Sequence, residues 1–160
     1  MNVFKKAQIR FMLIPILVCA LLLFVVFSAI FSIAVNSSVT NAQKACKLNL
    51  NRNLENALEN SFTDKCVTVA IFDSGEVLIS KSNFFGDFPL EDLEDKIKNT
   101  NNNIVKINNI AFVYDKIEDT YQDMNVTRYA IYDFTAEDIS SHTLANTLII
   151  VYFLTLASQI

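Results

Sequence analysis

The sequence predicts an α+β protein, with a long N-terminal helix, a five-stranded antiparallel sheet and a short helix between two of its strands, flanked by two transmembrane helices. Three observations predict it. Phe11 to Val35 is an apolar run without a charged residue, and Thr143 to Ile160 is a second. Between them lie stretches of β-branched and aromatic residues separated by turn chemistry. All 17 acidic residues fall between Glu55 and Asp138, so the charge is confined to the middle of the chain.

A helix rises about 1.5 Å per residue and a bilayer core is about 30 Å thick, so roughly 20 apolar residues suffice to cross it. Residues 11–35 exceed that and form the first span. Lys5, Lys6 and Arg10 precede it with no acid among them, which places residues 1–10 in the cytoplasm. Lys44, Lys47 and Arg52 on the other side weaken this bias. A cleaved signal peptide is the alternative, because Ser32-Ile33-Ala34 has suitably small residues; the apolar run is longer than the roughly 7 to 15 residues usual for one. Cys19 does not fit a lipid-anchor site, since Val18 stands where a small residue is needed. Pro15 costs the span one hydrogen bond near its start.

The formal net charge of −4 hides a more acidic middle, because three of the 13 basic residues precede the first span. Phosphate binding needs a basic footprint, so nucleic acid is not an expected partner. Residues 36–142 have the length of one small domain.

That domain opens on a helix running to Phe62. Val39, Cys46, Leu50, Leu54, Leu58 and Phe62 recur at steps of seven and four, making one apolar stripe that suits either packing on a sheet or pairing with a second copy. Cys66 to Asp73 and Glu76 to Ser80 flank Ser74-Gly75 and predict a hairpin. Lys81 to Gly86 reads as a loop. Asp87 can cap a helix with Pro89 in its first turn, and Leu90, Leu93 and Ile97 share one face of it to about Lys98. The polar cluster Thr100 to Asn103 ends it. Ile104 to Ile107 and Ile110 to Ile117 form a second hairpin around Asn108-Asn109, a polar loop follows through Asp123, and Val126 to Phe134 is the last strand.

Residues 143–160 give a second span, and a chain terminus at Ile160 in or near lipid suggests a fragment of a longer protein. Asn146 and Gln159 inside it are amides that bond across helices, which suggests a homodimer. Cys46 and Cys66 are either two buried thiols or, in an oxidising compartment, a disulfide.

This arrangement resembles the sensory front of a bacterial sensor histidine kinase, and the middle segment resembles the PAS-like extracytoplasmic fold also called PDC or single Cache. The resemblance rests on Val69 to Ser80 (VAIFDSGEVLIS) with its Asp73-Ser74-Gly75-Glu76 turn, on Phe112 to Ile117 (FVYDKI) and on Arg128 to Phe134 (RYAIYDF). It implies a two-component signalling protein of the plasma membrane whose external domain perceives a stimulus and shifts the spans. ATP, Mg and a cognate response regulator are implied only for a kinase module outside this chain. Ser141 to Leu148 loosely resembles a phosphoacceptor box, yet Thr143 and Thr147 replace its acid and proline, so His142 reads as a residue at the membrane edge. A chemoreceptor, a cyclic-dinucleotide enzyme or a stand-alone adaptor for a partner protein could carry the same front.

There is no catalytic motif, and no metal or other cofactor is expected in this chain. In the family, small ligands bind the concave sheet face, which implies Tyr114, Asp115, Arg128, Tyr132 and Asp133 as binding residues. Arg128 and Tyr132 alternate onto one face, where the planar guanidinium could clamp a carboxylate or phosphate; otherwise Arg128 makes an ion pair and Tyr132 is core. Asp87, Glu91, Asp92, Glu94 and Asp95 could hold divalent cations or a cationic peptide, or simply form the solvated face of a helix start.

Overall fold

A computed structural model describes residues 2–60, 63–80, 104–107 and 110–158. The expected 87–98 helix with its acidic cluster, the Asn108-Asn109 turn, Phe62 and Gln159 lie outside these residues. The elements in order are α1 (Asn2–Leu50), α2 (Leu54–Glu59), β1 (Cys66–Phe72), β2 (Val77–Ile79), β3 (Ile104–Ile107), β4 (Ile110–Tyr121), β5 (Met124–Asp133) and α3 (Thr135–Ala157). They divide into two units, Met1–Ser37 with Ile139–Ile160, and Ser38–Asp138.

The first unit is helical. Leu13–Leu50 and Thr135–Ala157 contain stretches of mean hydropathy 3.0 and 1.4, so α1 and α3 are long and apolar enough to cross a membrane. Large apolar side chains such as Leu17, Leu21, Val25, Ile150 and Phe153 are exposed on these helices.

The second unit is a five-stranded sheet in the order β2-β1-β5-β4-β3, every neighbouring pair antiparallel. Alternation sends successive side chains to opposite faces. On one face Val67, Val69, Val105, Ile107, Phe112, Tyr129 and Ile131 form an apolar cluster. On the other, Ala42, Cys46 and Leu50 of α1 and Leu54 of α2 pack on Cys66, Ala70, Phe72, Val113, Val126, Ala130 and Phe134. The apolar stripe of α1 is thus used against the sheet, one of its two expected uses. Each fully buried aliphatic or phenyl side chain contributes about 1.5–3 kcal/mol, so these clusters carry the domain.

Two expectations need correction. The helix does not continue to Phe62: it breaks at Asn51–Asn53 and restarts as α2, because Asn53 is extended (φ −56°, ψ 143°) and its carbonyl accepts the first bond of α2 from Ala57 N–H. The span from Glu118 to Asp123 is not a loop either. β4 continues to Tyr121, and Gln122 and Asp123 form a two-residue turn with φ of 51° and 65°. Both central residues are left-handed, which matches the right-handed twist of the flanking strands. Asparagine adopts this conformation more readily than glutamine, so Gln122→Asn is expected to stabilise the domain by about 0.5 kcal/mol, read as a higher urea midpoint.

Gly75 closes the β1–β2 hairpin with φ +84°, its N–H donating to Phe72 O at 2.8 Å. Nothing lies within 4 Å of where a Cβ would sit, so any penalty there is purely backbone. Gly75→Ala is therefore expected to cost about 1–2 kcal/mol, and an unchanged urea midpoint would contradict it.

Candidate functional site

The alternation of β5 turns Val126, Arg128, Ala130 and Tyr132 toward α1 and α2. Arg128 is only 3% exposed, an unusual place for a guanidinium. Its Nη1 donates to Asp119 Oδ2 at 2.9 Å, across the β4–β5 hairpin, and its Nη2 donates to the carbonyl of Arg52 at 2.8 Å. Arg52 sits in the break between the helices, and its own guanidinium donates to Asn60 O and Asn56 O, closing the end of α2. The break therefore turns a backbone carbonyl toward the buried cation. Arg128 holds the carboxyl of half-exposed Asp119 below its ordinary value, first through the hydrogen bond and then with help from Thr120 N–H.

Around this pair lies a polar cleft of about 520 Å³, lined also by Asn51, Glu55, Ile117, Thr120 and Tyr121. Tyr121 OH donates to Glu55 Oε1 at 3.0 Å, which pushes the phenol up. Arg128 Nε is buried with no hydrogen-bond partner among the described residues. With two cations and two carboxylates on its wall, the cleft offers donors and acceptors of both signs to a small polar ligand.

The start of α3 is the second constellation. Asp133 Oδ1 accepts from Thr135 N–H, and the Thr135 hydroxyl bonds the backbone of Ala111. Glu137 pairs with Lys65 at 2.9 Å and accepts from Tyr132 OH at 3.2 Å, while Asp138 pairs with Lys106 on β3. Burial raises the Glu137 carboxyl, but the bond from Lys65, a backbone N–H, the Lys65 charge and the Tyr132 hydroxyl together outweigh that and leave it below its ordinary value. Burial and the Glu137 charge together push the Tyr132 phenol up. The first turn of α3 is thus tied to both sides of the sheet.

The third is a buried polar seam. Cys46 and Cys66 are in the thiol form, not joined in a disulfide, and both are fully buried. Asn49 Nδ2 donates to Thr68 Oγ1 at 2.7 Å, and Ser80 Oγ accepts from Thr68 N–H at 3.0 Å. The bond with Cys66 and then burial raise the Cys46 thiol far above its ordinary value. Among the described residues no group of three or more His, Cys, Asp or Glu side chains could hold a metal ion.

Comparison with protein-family models, with curated proteins and with solved structures finds no match to this chain.

The five residues expected to bind a ligand do not converge. Asp115, Arg128 and Tyr132 share the face under α1, whereas Tyr114 packs with the opposite cluster and Asp133 is engaged at the start of α3. Arg128 and Tyr132 do share a face, but one reaches Asp119 and the other Glu137. Sequence reasoning missed Arg52, Glu55, Asp119 and Tyr121. An arginine within an apolar alternation was the available signal, since a buried cation requires an acceptor.

Proposed function

We propose that the chain is the signal-sensing and signal-transmitting front of a bacterial membrane receptor of the sensor histidine kinase type, with residues 36–142 outside the plasma membrane as a PAS-like domain. One observation carries this reading. Both helices that are apolar enough to cross a bilayer also belong to the sheet unit, α1 through Ala42, Cys46 and Leu50 and α3 through the ion pairs of Glu137 and Asp138. A change at the sheet acts on two helices at once, and a helix carries small displacements along its length. The order of long helix, two strands and three strands agrees with the resemblance to the single Cache fold.

In this reading the cleft beside Arg128 takes the signal, a small polar or zwitterionic molecule. Asn146 is exposed on α3, and a carboxamide in hydrocarbon finds a partner on a second copy, giving a homodimer. Output belongs to a cytoplasmic kinase module with its ATP, Mg and response regulator.

The test has two parts. A cysteine placed at Asp123, in the exposed β4–β5 turn, is expected to react with a membrane-impermeant maleimide in intact cells; reaction only after permeabilisation would overturn the topology. Thermal unfolding of the full chain in micelles is then followed against small carboxylates, amino acids, divalent cations and cationic peptides. A ligand of the folded state at about a hundred times its Kd adds about 2.7 kcal/mol, and the shift should vanish in Arg52→Ala if the cleft is the site.

A further inference from the structure

We propose that Cys46 and Cys66 form a disulfide modification site that fastens the end of α1 to the first residue of β1. The inference rests on the placement of residues 36–142 outside the cell, where the surroundings permit a disulfide. The chain has three cysteines; Cys19 lies in the apolar run of α1, and the other two meet in one core cluster with Leu50 and Ala130. Both are 0% exposed, and they come from different elements, α1 and β1, that meet in this cluster. Tyr132, the register partner of Cys66 on β5, packs against the same cluster. The thiols are thus already held together by the helix-on-sheet packing.

A bridge here would enclose about twenty residues, including the Asn51–Asn53 break and all of α2. That loop carries Arg52 and Glu55, which line the polar cleft. Oxidation would therefore hold the rim of the cleft against the sheet, at the cost of the Cys46 Sγ to Val113 O contact at 3.6 Å.

The chemistry is thiol–disulfide exchange with a small disulfide or the exposed disulfide of an oxidoreductase. One cysteine, as thiolate, attacks a sulfur of the reagent and displaces its first thiol, leaving a mixed disulfide. The second cysteine then attacks the protein sulfur of that mixed disulfide and releases the second thiol. Two electrons pass from the cysteines to the reagent, and their two protons end on the two released thiols. Because both sulfurs are sealed in the core, exchange occurs as the core assembles or when α1 lifts from the sheet.

The experiment equilibrates the full chain in micelles with a glutathione and glutathione-disulfide buffer. It approaches equilibrium from the folded chain and from urea-unfolded chain returned to buffer, with a parallel sample kept in urea. After acid quench and alkylation, peptide mass spectrometry reads the joined Cys46 and Cys66 peptides. The bridge is expected to be favoured about a hundredfold more in the folded chain than in urea, and to be unchanged in Cys19→Ser. Equal bridging in both states, or pairing of either cysteine with Cys19 instead, would overturn the proposal. Acid-quenched whole cells separate the two readings. A pair that bridges in micelles but is wholly alkylated as thiols in cells supports the disulfide site and overturns the external placement.

Discussion

Replacing Arg128 with alanine is expected to lower stability by about 3 kcal/mol, read from urea unfolding of the full chain in micelles. The truncation opens a cavity beneath α1 and α2 and leaves the Arg52 carbonyl without its donor, two losses of about 1–3 kcal/mol each that overlap in part. Arg128→Met restores volume but no donor, so it should recover roughly half. The informative partner is Asp119→Ala. Asp119 is 40% exposed, and such a residue ordinarily changes stability by less than about 0.5 kcal/mol. Here it leaves a buried guanidinium with one acceptor fewer, so the expected cost is about 2 kcal/mol. Combined with Arg128→Met it should cost almost nothing further, and additive losses would show that the pair is not coupled. The pH dependence has a definite sign. The folded carboxyl of Asp119 lies below its ordinary 3.8, so its contribution is complete above that value and disappears as pH falls through the lower, folded one. Asp119→Asn should flatten acid unfolding in that interval.

The second large effect is expected at Phe134. Its ring is 1% exposed and packs with Ala42 of α1 and with Ala111 and Val113 of β4. Its N–H donates to Ala111 O at 2.8 Å, and its carbonyl accepts from Asp138 N–H in the first turn of α3. Phe134→Ala is expected to cost about 3–5 kcal/mol, and Phe134→Leu only about 1. In the sensor reading this residue bears on both helices, on α1 through its ring and on α3 through its carbonyl, so the leucine variant, which loosens the ring contact with α1, should fold with a normal cleft and yet transmit less. A Phe134→Leu chain with full ligand shift and full output would remove Phe134 from transmission.

The strands were legible because their cause is local. Cys66 to Phe72 and Ile104 to Ile107 are short segments rich in β-branched residues, and Ser74-Gly75 supplies the left-handed turn between β1 and β2. The break at Asn51–Asn53 was not legible, because Leu50, Leu54 and Leu58 keep their spacing across it. What stops the helix is the carbonyl of Arg52 engaging Arg128, a residue distant in sequence. The length of β4 was obscured by Glu118 and Asp119, whose charge imitates a loop, and by a turn built from Gln122 and Asp123 without glycine or asparagine. That error propagated to the site. Once the turn is placed at 122–123, the register sets Asp119 opposite Val126 and diagonal to Arg128, and the ion pair follows. Of the candidate binding residues among the described ones, only Arg128 lies on the cleft, because the sheet separates Tyr114 from Asp115 and turns their neighbours to different tasks.

The strand order has a consequence in time. β1 lies between β2 and β5, and its register partners on β5, from Val126 to Tyr132, are made long after it. While the chain is being synthesised, the β1–β2 hairpin therefore emerges without its main neighbour, and an isolated two-stranded hairpin is at best marginally stable in water. The β4–β5 hairpin is the contrasting case, a local pairing of ten register positions around a two-residue turn. It forms early once its own residues are present, and β1 then closes onto it in a slower, non-local step. Until Tyr132 has left the ribosome the centre of the sheet cannot assemble, and Thr135 at the start of α3 follows almost at once. Maturation of the domain is thereby timed to the arrival of the helix that it is proposed to move.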